Sequence, residues 1–296
     1  MPKTLRKPLK RDVRQNLVGW SMLSIWALGF LAFTLYPIFT SLYYSLSDVV
    51  LSGTGIQITF VGLANYRAVF STAAGFSFLQ AVLDFAIEVL VKVPIITVFA
   101  IIIAVLLNQK IRFRGFFRAI YFLPVIIASG PVITQLVNQG AATIPLVEQM
   151  GIRDWIDATF VPALAHPIAS IFDQLIVILW FSGVQILLFI AALQKIDRSV
   201  YEAAMIDGAG PWESFWKITM PALKNMVLVS VIFTIINLAT FSENPAIVHI
   251  KDNMFALETG FGFSSAIAWL YFVVLAMILA VAVLLLSSFG KERRRS

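Results

Sequence analysis

Cysteine is absent from the 296 residues, and histidine occurs only twice, as His166 and His249. Disulfides, thiol chemistry and sulfur-ligated metal are thereby excluded. The two histidines lie far apart, each in a polar loop, so a two-histidine site requires that those loops meet, and no metal is assigned. Charge is scarce too. Only 13% of residues are charged, 59% are hydrophobic, and mean hydropathy is +0.88; a soluble domain carries about 25% charged residues. A soluble globular chain is excluded, as are disordered, coiled-coil and fibrous ones. No G-x-x-x-x-G-K-[ST] segment occurs, so the chain has no phosphate-cradling loop. Any energy source is another subunit or an ion gradient.

What the sequence does have is long apolar runs. A spanning helix needs about 20 such residues. Six are expected: 17–36 (with a possible extension to 46 past a kink at Pro37), 78–107, 116–136, 168–193, 223–241 and 263–286. Prolines inside them, Pro37, Pro94, Pro124 and Pro131, are tolerated where neighbouring helices satisfy the freed carbonyls. The fold class is therefore an all-α polytopic membrane protein with six transmembrane helices. Residues 1–16 form a basic N-terminal segment, 17–289 the membrane domain with a polar loop at 194–222, and 290–296 a basic tail. The first run comes after a basic segment, as a secretory signal does. It is too long for a signal core and no small-residue cleavage site follows Tyr36, so it reads as a retained helix.

Basic residues set the orientation. Lys3, Arg6, Lys7, Lys10, Arg11 and Arg14 precede the first run. Lys110, Arg112, Arg114 and Arg118 follow the second, Lys195, Arg198, Lys217 and Lys224 follow the fourth, and Lys291, Arg293, Arg294 and Arg295 form the tail. These are 18 of the 22 lysines and arginines, all on one side of a six-span chain. Arg67, Arg153 and Lys251 fall on the other side, and Lys92 lies within a span. Both termini are thus expected in the cytoplasm. The net charge of +6 is a signature of topology, with no nucleic acid implied; the tail would attract anionic membrane lipid at about 1 kcal/mol per residue near the surface.

The stretch from Lys195 to Pro221 carries its own secondary-structure signals. Ser199 to Glu202 fits a capping box, with Ser199 as N-cap and Glu202 at the third helical position. A short helix is expected over Val200–Asp207, stopped by Gly208. Gly210 and Pro211 start a second helix, on which Trp212, Phe215, Trp216 and Thr219 form one stripe suited to the bilayer interface or the underside of the bundle. Ala203 and Ala204 give the first helix a small-residue surface that another protein can approach closely, with Glu202 and Asp207 on it. A capped surface helix without a partner is the plainer reading of the same residues.

These residues also carry a resemblance. Glu202, Ala203 and Ala204, then Gly208, Ile218, Met220 and Pro221 at their spacing, resemble the EAA signature of permease subunits of bacterial ABC importers; Met220 stands where leucine is usual. Leu193, Gln194, Tyr201 and the run Ile206 to Gly210 resemble the sugar-importer branch, which includes the permeases of the maltose and glycerol-3-phosphate importers. So does Phe60 to Tyr66 (FVGLANY). The likeness runs from about Tyr36 to the C-terminus. It implies a type I importer permease in the bacterial cytoplasmic membrane, itself no enzyme, working by alternating access. The implied partners are a second homologous permease, two cytoplasmic ATPase subunits that bind the ATP and magnesium, an extracytoplasmic solute-binding protein and a sugar. It also implies that Tyr201, Glu202, Ala203, Ala204, Asp207, Gly208 and Pro221 couple to the ATPase, with Glu202 facing a basic group there.

Polar residues inside the spans need a reason, because a charge at mid-helix costs about 2.5–3.5 kcal/mol. Asp84, Glu88 and Lys92 recur at four-residue spacing and are expected to face into the bundle, with Glu88 and Lys92 as an ion pair. A structural pair, or a substrate or proton role, would each account for them. Thr234, Asn237 and Phe241 form one stripe, and Trp180 and Phe181 with Val177 and Val184 another. Such mixed polar and aromatic surfaces suit sugars, and the family's central spans line its pathway; Gln185 and Asn138 are weaker candidates. Helix packing accounts for each residue equally. Glu243 and Asn244 mark an outer gate or binding-protein contact. Two other classes stay open: an ion-coupled secondary transporter of a small polar solute, which the charges of the second span favour, and a membrane-embedded enzyme, for which few catalytic groups remain.

Overall fold

The computed structural model describes residues 11–52, 55–109, 115–116, 119, 135, 152–159, 175–256 and 259–288. The elements are α1 (Arg11–Phe30), α2 (Tyr36–Ser45), β1 (Ser47–Ser52), β2 (Gly55–Phe60), α3 (Ala64–Ala68), α4 (Ala73–Asn108), α5 (Ile152–Thr159), α6 (Leu175–Leu193), α7 (Arg198–Ile206), α8 (Pro211–Ser214), α9 (Met220–Ala239), α10 (Pro245–Met254) and α11 (Gly260–Ser288). Four helical stretches among the described residues are long and apolar enough to span a membrane: Val18–Ser45, Ala73–Asn108, Pro211–Ala239 and Gly260–Ser287. A fifth is formed if α6 and α7, bent by 67° at the break between them, count as one. The expected span at 116–136, Asn138, His166 and the start of the fourth span lie outside the described residues, apart from Phe116, Ala119 and Gln135.

Two spans run past a proline, for one reason. The first takes the extension expected past Pro37, to Ser45, and the fifth starts at Pro211 instead of Leu223. In both, a five-residue π turn sits just ahead of the proline. Leu31–Leu35 precedes Tyr36-Pro37, and the Tyr36 N–H bonds to the Leu31 carbonyl. Phe215–Thr219 precedes Met220-Pro221, and the Met220 N–H bonds to Phe215. A wider turn gives room to the proline ring, which would otherwise strike the carbonyl four residues back. Helices that would have broken therefore continue.

The backbone forms two compact units, residues 1–76 with 250–270, and residues 77–249 with 271–296. The first contains a β-hairpin that composition does not announce, β1 pairing antiparallel with β2 from Ser47↔Phe60 to Ser52↔Gly55. A lone hairpin is marginal in water. This one is held at its base by the FVGLANY residues. Val61 N–H bonds to Leu46 O at 2.9 Å. Asn65 Nδ2 donates to the carbonyls of Ser45 (3.1 Å) and Ser47 (2.9 Å), and Tyr66 OH donates to Ser45 Oγ at 2.9 Å. That motif is thus a clamp on the hairpin. In the second unit, Ala100, Ile101, Ala104 and Leu107 of α4 bury against Ile186, Phe189, Ile190 and Leu193 of α6 and Leu223 of α9. His249 falls on α10, where a polar loop was expected.

Candidate functional site

The helix α7 leaves the end of α6 at 67° and is capped at both ends. Asp197 is the N-cap in extended conformation, its Oδ1 accepting from the Ser199 N–H at 3.0 Å. That backbone hydrogen bond, with a second from the Ser199 hydroxyl, holds the Asp197 carboxyl below its ordinary range. The expected box of Ser199 and Glu202 is not formed. The helix begins two residues earlier, at Arg198; aspartate caps as well as serine and its charge suits the positive helix end. Glu202 is exposed and has no capping bond, so its carboxylate is available to a partner.

At the other end Gly208 takes φ +82°. Gly208 N–H bonds to Met205 O at 3.1 Å and Ala209 N–H to Ala204 O at 2.9 Å, the two bonds of a Schellman motif. The chain then reverses into α8, where Pro211 is the first residue and the Glu213 carboxylate accepts from the Gly210 N–H at 3.3 Å. Lys217, one turn on, pairs with the same carboxylate at 3.4 Å. A side-chain bond ties α7 to the π turn ahead of α9: Tyr201 OH meets Thr219 Oγ1 at 2.8 Å. Tyr201 and Ala204 therefore turn inward, while Glu202, Ala203, Asp207 and Gly208 face out. Beside them stand Met205, 65% exposed, and Ile206, 87% exposed. Neither is among the coupling residues expected from the sequence. Their signal is two large apolar residues between a small-residue surface and Asp207-Gly208, with no apolar neighbour to bury them.

The aromatic stripe divides. Thr219 is buried, while Trp212 and Trp216, in edge contact at 5.6 Å, remain exposed. They line an apolar groove of about 660 Å³ with Val98, Ile102 and Leu106 of α4.

Deeper in the membrane region, α6 and α9 pack together and bring the two expected stripes to one seam. Phe181 and Phe241 meet edge-on at 5.3 Å. Gln185, a weaker candidate, donates to Thr234 Oγ1 at 2.8 Å, and Thr234 donates to the Ser230 carbonyl at 2.8 Å. Both side chains are fully buried, so Thr234 is a packing residue within the helix pair. Trp180, Val184 and Asn237 are half-buried, and the Asn237 amide has no hydrogen-bond partner among the described residues. Val177 lies on α6, and its side chain is outside the described residues. Asn244 is not an open gate group. It is buried, donating to Leu238 O and Tyr271 OH (3.1 and 3.0 Å) and accepting from Ala246 N–H at 2.9 Å; Glu243 beside it is half-buried.

The charges of α4 are only partly as expected. Lys92 pairs with Glu88, with side chains 15% and 29% exposed. Asp84 is exposed and accepts from Gln80 Nε2 at 2.9 Å, so it faces outward and stands apart from the pair. Breaking the Glu88–Lys92 pair from one side should cost about 2–3 kcal/mol, short of the roughly 3–5 of a fully buried pair. Glu88→Gln with Lys92→Gln together should be milder than either alone. Melting of the four purified forms checks this, and additive single effects would show that the two groups do not interact. No cluster of metal-ligating side chains occurs among the described residues.

Residues 67–291 match the family described as the binding-protein-dependent transport system inner membrane component. The chain is 31% identical, over 100% of both chains, to the lactose transport system permease LacF of Rhizobium radiobacter. It is 26% identical to the multiple sugar-binding transport system permease MsmF of Streptococcus mutans, covering 94% of this chain and 98% of that one. It is 28% identical to the trehalose/maltose permease MalF of Thermococcus litoralis, covering 77% and 75%. Among solved structures, a chain of a bacterial ABC transporter for alginate import superposes with a TM-score of 0.62 at 16% identity, covering 95% of this chain and 99% of that one. A second alginate transporter structure, in complex with a pentasaccharide-bound periplasmic protein, gives 0.64 over 96% and 99%, also at 16% identity.

Proposed function

The chain belongs to the family of inner-membrane components of binding-protein-dependent transport systems, and from that premise we propose that it is the permease subunit of an ATP-driven importer of carbohydrate. It is a multi-pass protein of the cytoplasmic membrane. Its cargo is a mono- or oligosaccharide, the class named in the relatives, or a related polyol. Six spans, both termini in the cytoplasm, accord with the distribution of basic residues. The partners are a second permease, two cytoplasmic ATPases that hold the ATP and magnesium, and an external solute-binding protein. The chain itself makes and breaks no covalent bond.

The observation that carries this reading is the built tip of α7. An isolated surface helix needs neither two caps nor an exposed carboxylate beside a bare isoleucine. A docking helix needs a fixed aim and a bare face. The path inward from it is mechanical. The Tyr201–Thr219 bond joins α7 to the helical run Pro211–Ala239, and 29 residues at 1.5 Å each make a lever of about 43 Å. Asn237 sits near its far end, so ATPase closure at α7 shifts the surface that meets the sugar. The Asn237 amide, without a partner among the described residues, and the Phe181–Phe241 pair supply a hydrogen-bonding group and aromatic faces for a polyol.

The test is purification of the tagged chain from its native membrane, with uptake then measured in vesicles. An ATPase and a second permease should co-purify, and uptake should need ATP and survive an ionophore. A cysteine at Ser214, placed freely in a cysteine-less chain, should resist an impermeant external reagent. Asn237→Leu should lower uptake severalfold with assembly and basal ATP hydrolysis intact. Uptake driven by an ion gradient without ATP would establish the secondary transporter instead.

A further inference from the structure

The outer face of α4 has two rows side by side. Gln80, Asp84, Glu88 and Lys92 repeat every four residues, and so do Leu83, Ile87 and Val91, with Leu90 beside them. Residues four apart lie above one another on a helix, and adjacent numbers are about a quarter-turn apart. In the polar row Gln80 and Asp84 are exposed, while the Glu88–Lys92 pair keeps only an edge open, 29% and 15% exposed. In the apolar row Leu83, Ile87, Leu90 and Val91 are all exposed. Among the described residues, no other part of this chain buries Gln80, Asp84 or the apolar row.

Neither solvent suits both. The 19 residues Val89–Leu107 contain one charge, Lys92, and at 1.5 Å each they fill the roughly 30 Å of hydrocarbon. That places Lys92 one turn inside the apolar layer, Glu88 at its edge and Asp84 a turn beyond, among lipid phosphates. Acyl chains do not solvate the exposed edge of the pair, and phosphates repel Asp84, whose carboxylate has a donor in Gln80 and no cation among the described residues. Water would suit the polar row and leave Leu83, Ile87 and Leu90 bare. A protein helix laid along the seam satisfies both, apolar against apolar with the charges at the rim.

We infer that the double row Gln80–Lys92 and Leu83–Val91 of α4 is the seat of a second polytopic permease subunit, which presents a cation or hydrogen-bond donor to Asp84. The inference rests on the permease reading and locates the contact between the two permeases. The apolar row supplies contact area. The polar row fixes register, since a carboxylate without a cation discriminates among partners more sharply than leucine does.

Single cysteines at Asp84 and at Ile87, in a chain with none of its own, test it in cells expressing every subunit and in cells lacking only the second permease. A small water-soluble thiol reagent should label Asp84→Cys freely without the second permease, and about tenfold more slowly or not at all with it. Ile87→Cys should cross-link to that subunit with a short bifunctional reagent, while a cysteine at Val281, an exposed apolar position of α11, should not. If Asp84→Cys fails to assemble, Gln80→Cys, one turn further out, serves with the same expectations. Equal labelling in both strains would mean that the seam lines water. No labelling in either would mean that lipid or this chain covers it. Both results overturn the proposal. Failure to recover any second permease with the tagged chain would instead overturn the permease reading, and is seen before any labelling is done.

Discussion

Gly208→Val is expected to abolish sugar-stimulated ATP hydrolysis in a complex that still inserts and pairs. The reason is torsional. A Cβ built on Gly208 meets nothing within 4 Å, so space is not the obstacle. The obstacle is φ +82°, a region in which an ordinary L-residue loses roughly 1–2 kcal/mol and a β-branched one more, because its side chain crowds the following carbonyl. Valine would leave that region and break the bonds from Gly208 N–H and Ala209 N–H that end α7. The helix would lose its aim while its N-cap and sequence stayed intact. Gly208→Asn, which tolerates the left-handed region, should retain most of the coupling. Ala203→Trp tests the same surface by bulk: it should release the ATPase on purification. Pro211→Ala, which removes only a preset φ at a first helical position, should be mild. The measurement is ATP hydrolysis and sugar uptake in vesicles for each assembled variant. Normal ATPase retention and uptake with Ala203→Trp would place the contact elsewhere.

What is legible in the sequence is what short-range chemistry decides. Capping chemistry and Gly208 bracket α7 to within two residues, and the stripe of Trp212 and Trp216 is where the helical period puts it. Ser199 and Asp197 are both good N-caps two residues apart, and the charge that suits Asp197 to the positive helix end does not alone decide between them in the sequence. The fifth span is expected only from Leu223, after Pro221, since nothing local reveals that a π turn ahead of that proline will absorb its ring. Thr234 and Asn237 look alike on one stripe. Their difference is Gln185, which lies 49 positions from Thr234 and takes its hydroxyl into the helix pair, while the Asn237 amide has no partner among the described residues. The alternation of Ile56, Ile58 and Phe60 with Gln57 and Thr59 is a strand pattern in plain view. The hairpin it belongs to is secured by residues beyond its own sequence, Asn65 and Tyr66, and by the start of a helix some two hundred residues away.

That distant contact carries the other large effect. Gly262→Ala is expected to unseat the hairpin and lower the melting temperature of the purified chain by several degrees. A Cβ at Gly262 would fall 2.2 Å from the Ser47 carbonyl oxygen and 3.1 Å from Asn65 Nδ2. The oxygen has no freedom to retreat, because it already accepts from that same Asn65 amide at 2.9 Å. Helix propensity pulls the other way, favouring alanine over glycine by about 0.8–1.0 kcal/mol in a helix interior, and less than that here at the first turn of α11. Overpacking costs about 1–3 kcal/mol, and the displaced clamp adds the loss of a partly buried hydrogen bond, so the net effect is destabilising. Limited proteolysis should open first near the β1–β2 turn. Gly29→Ala supplies the contrast: it is helical, with nothing within 4 Å of its would-be Cβ, so the propensity gain stands alone and the change should be silent or slightly stabilising. Gly208 and Gly262 are thus needed for opposite reasons, one for its torsion in open space and the other for its missing atom in an ordinary helix. An unchanged melting temperature and proteolytic pattern with Gly262→Ala would mean that the hairpin does not rest on α11 at all.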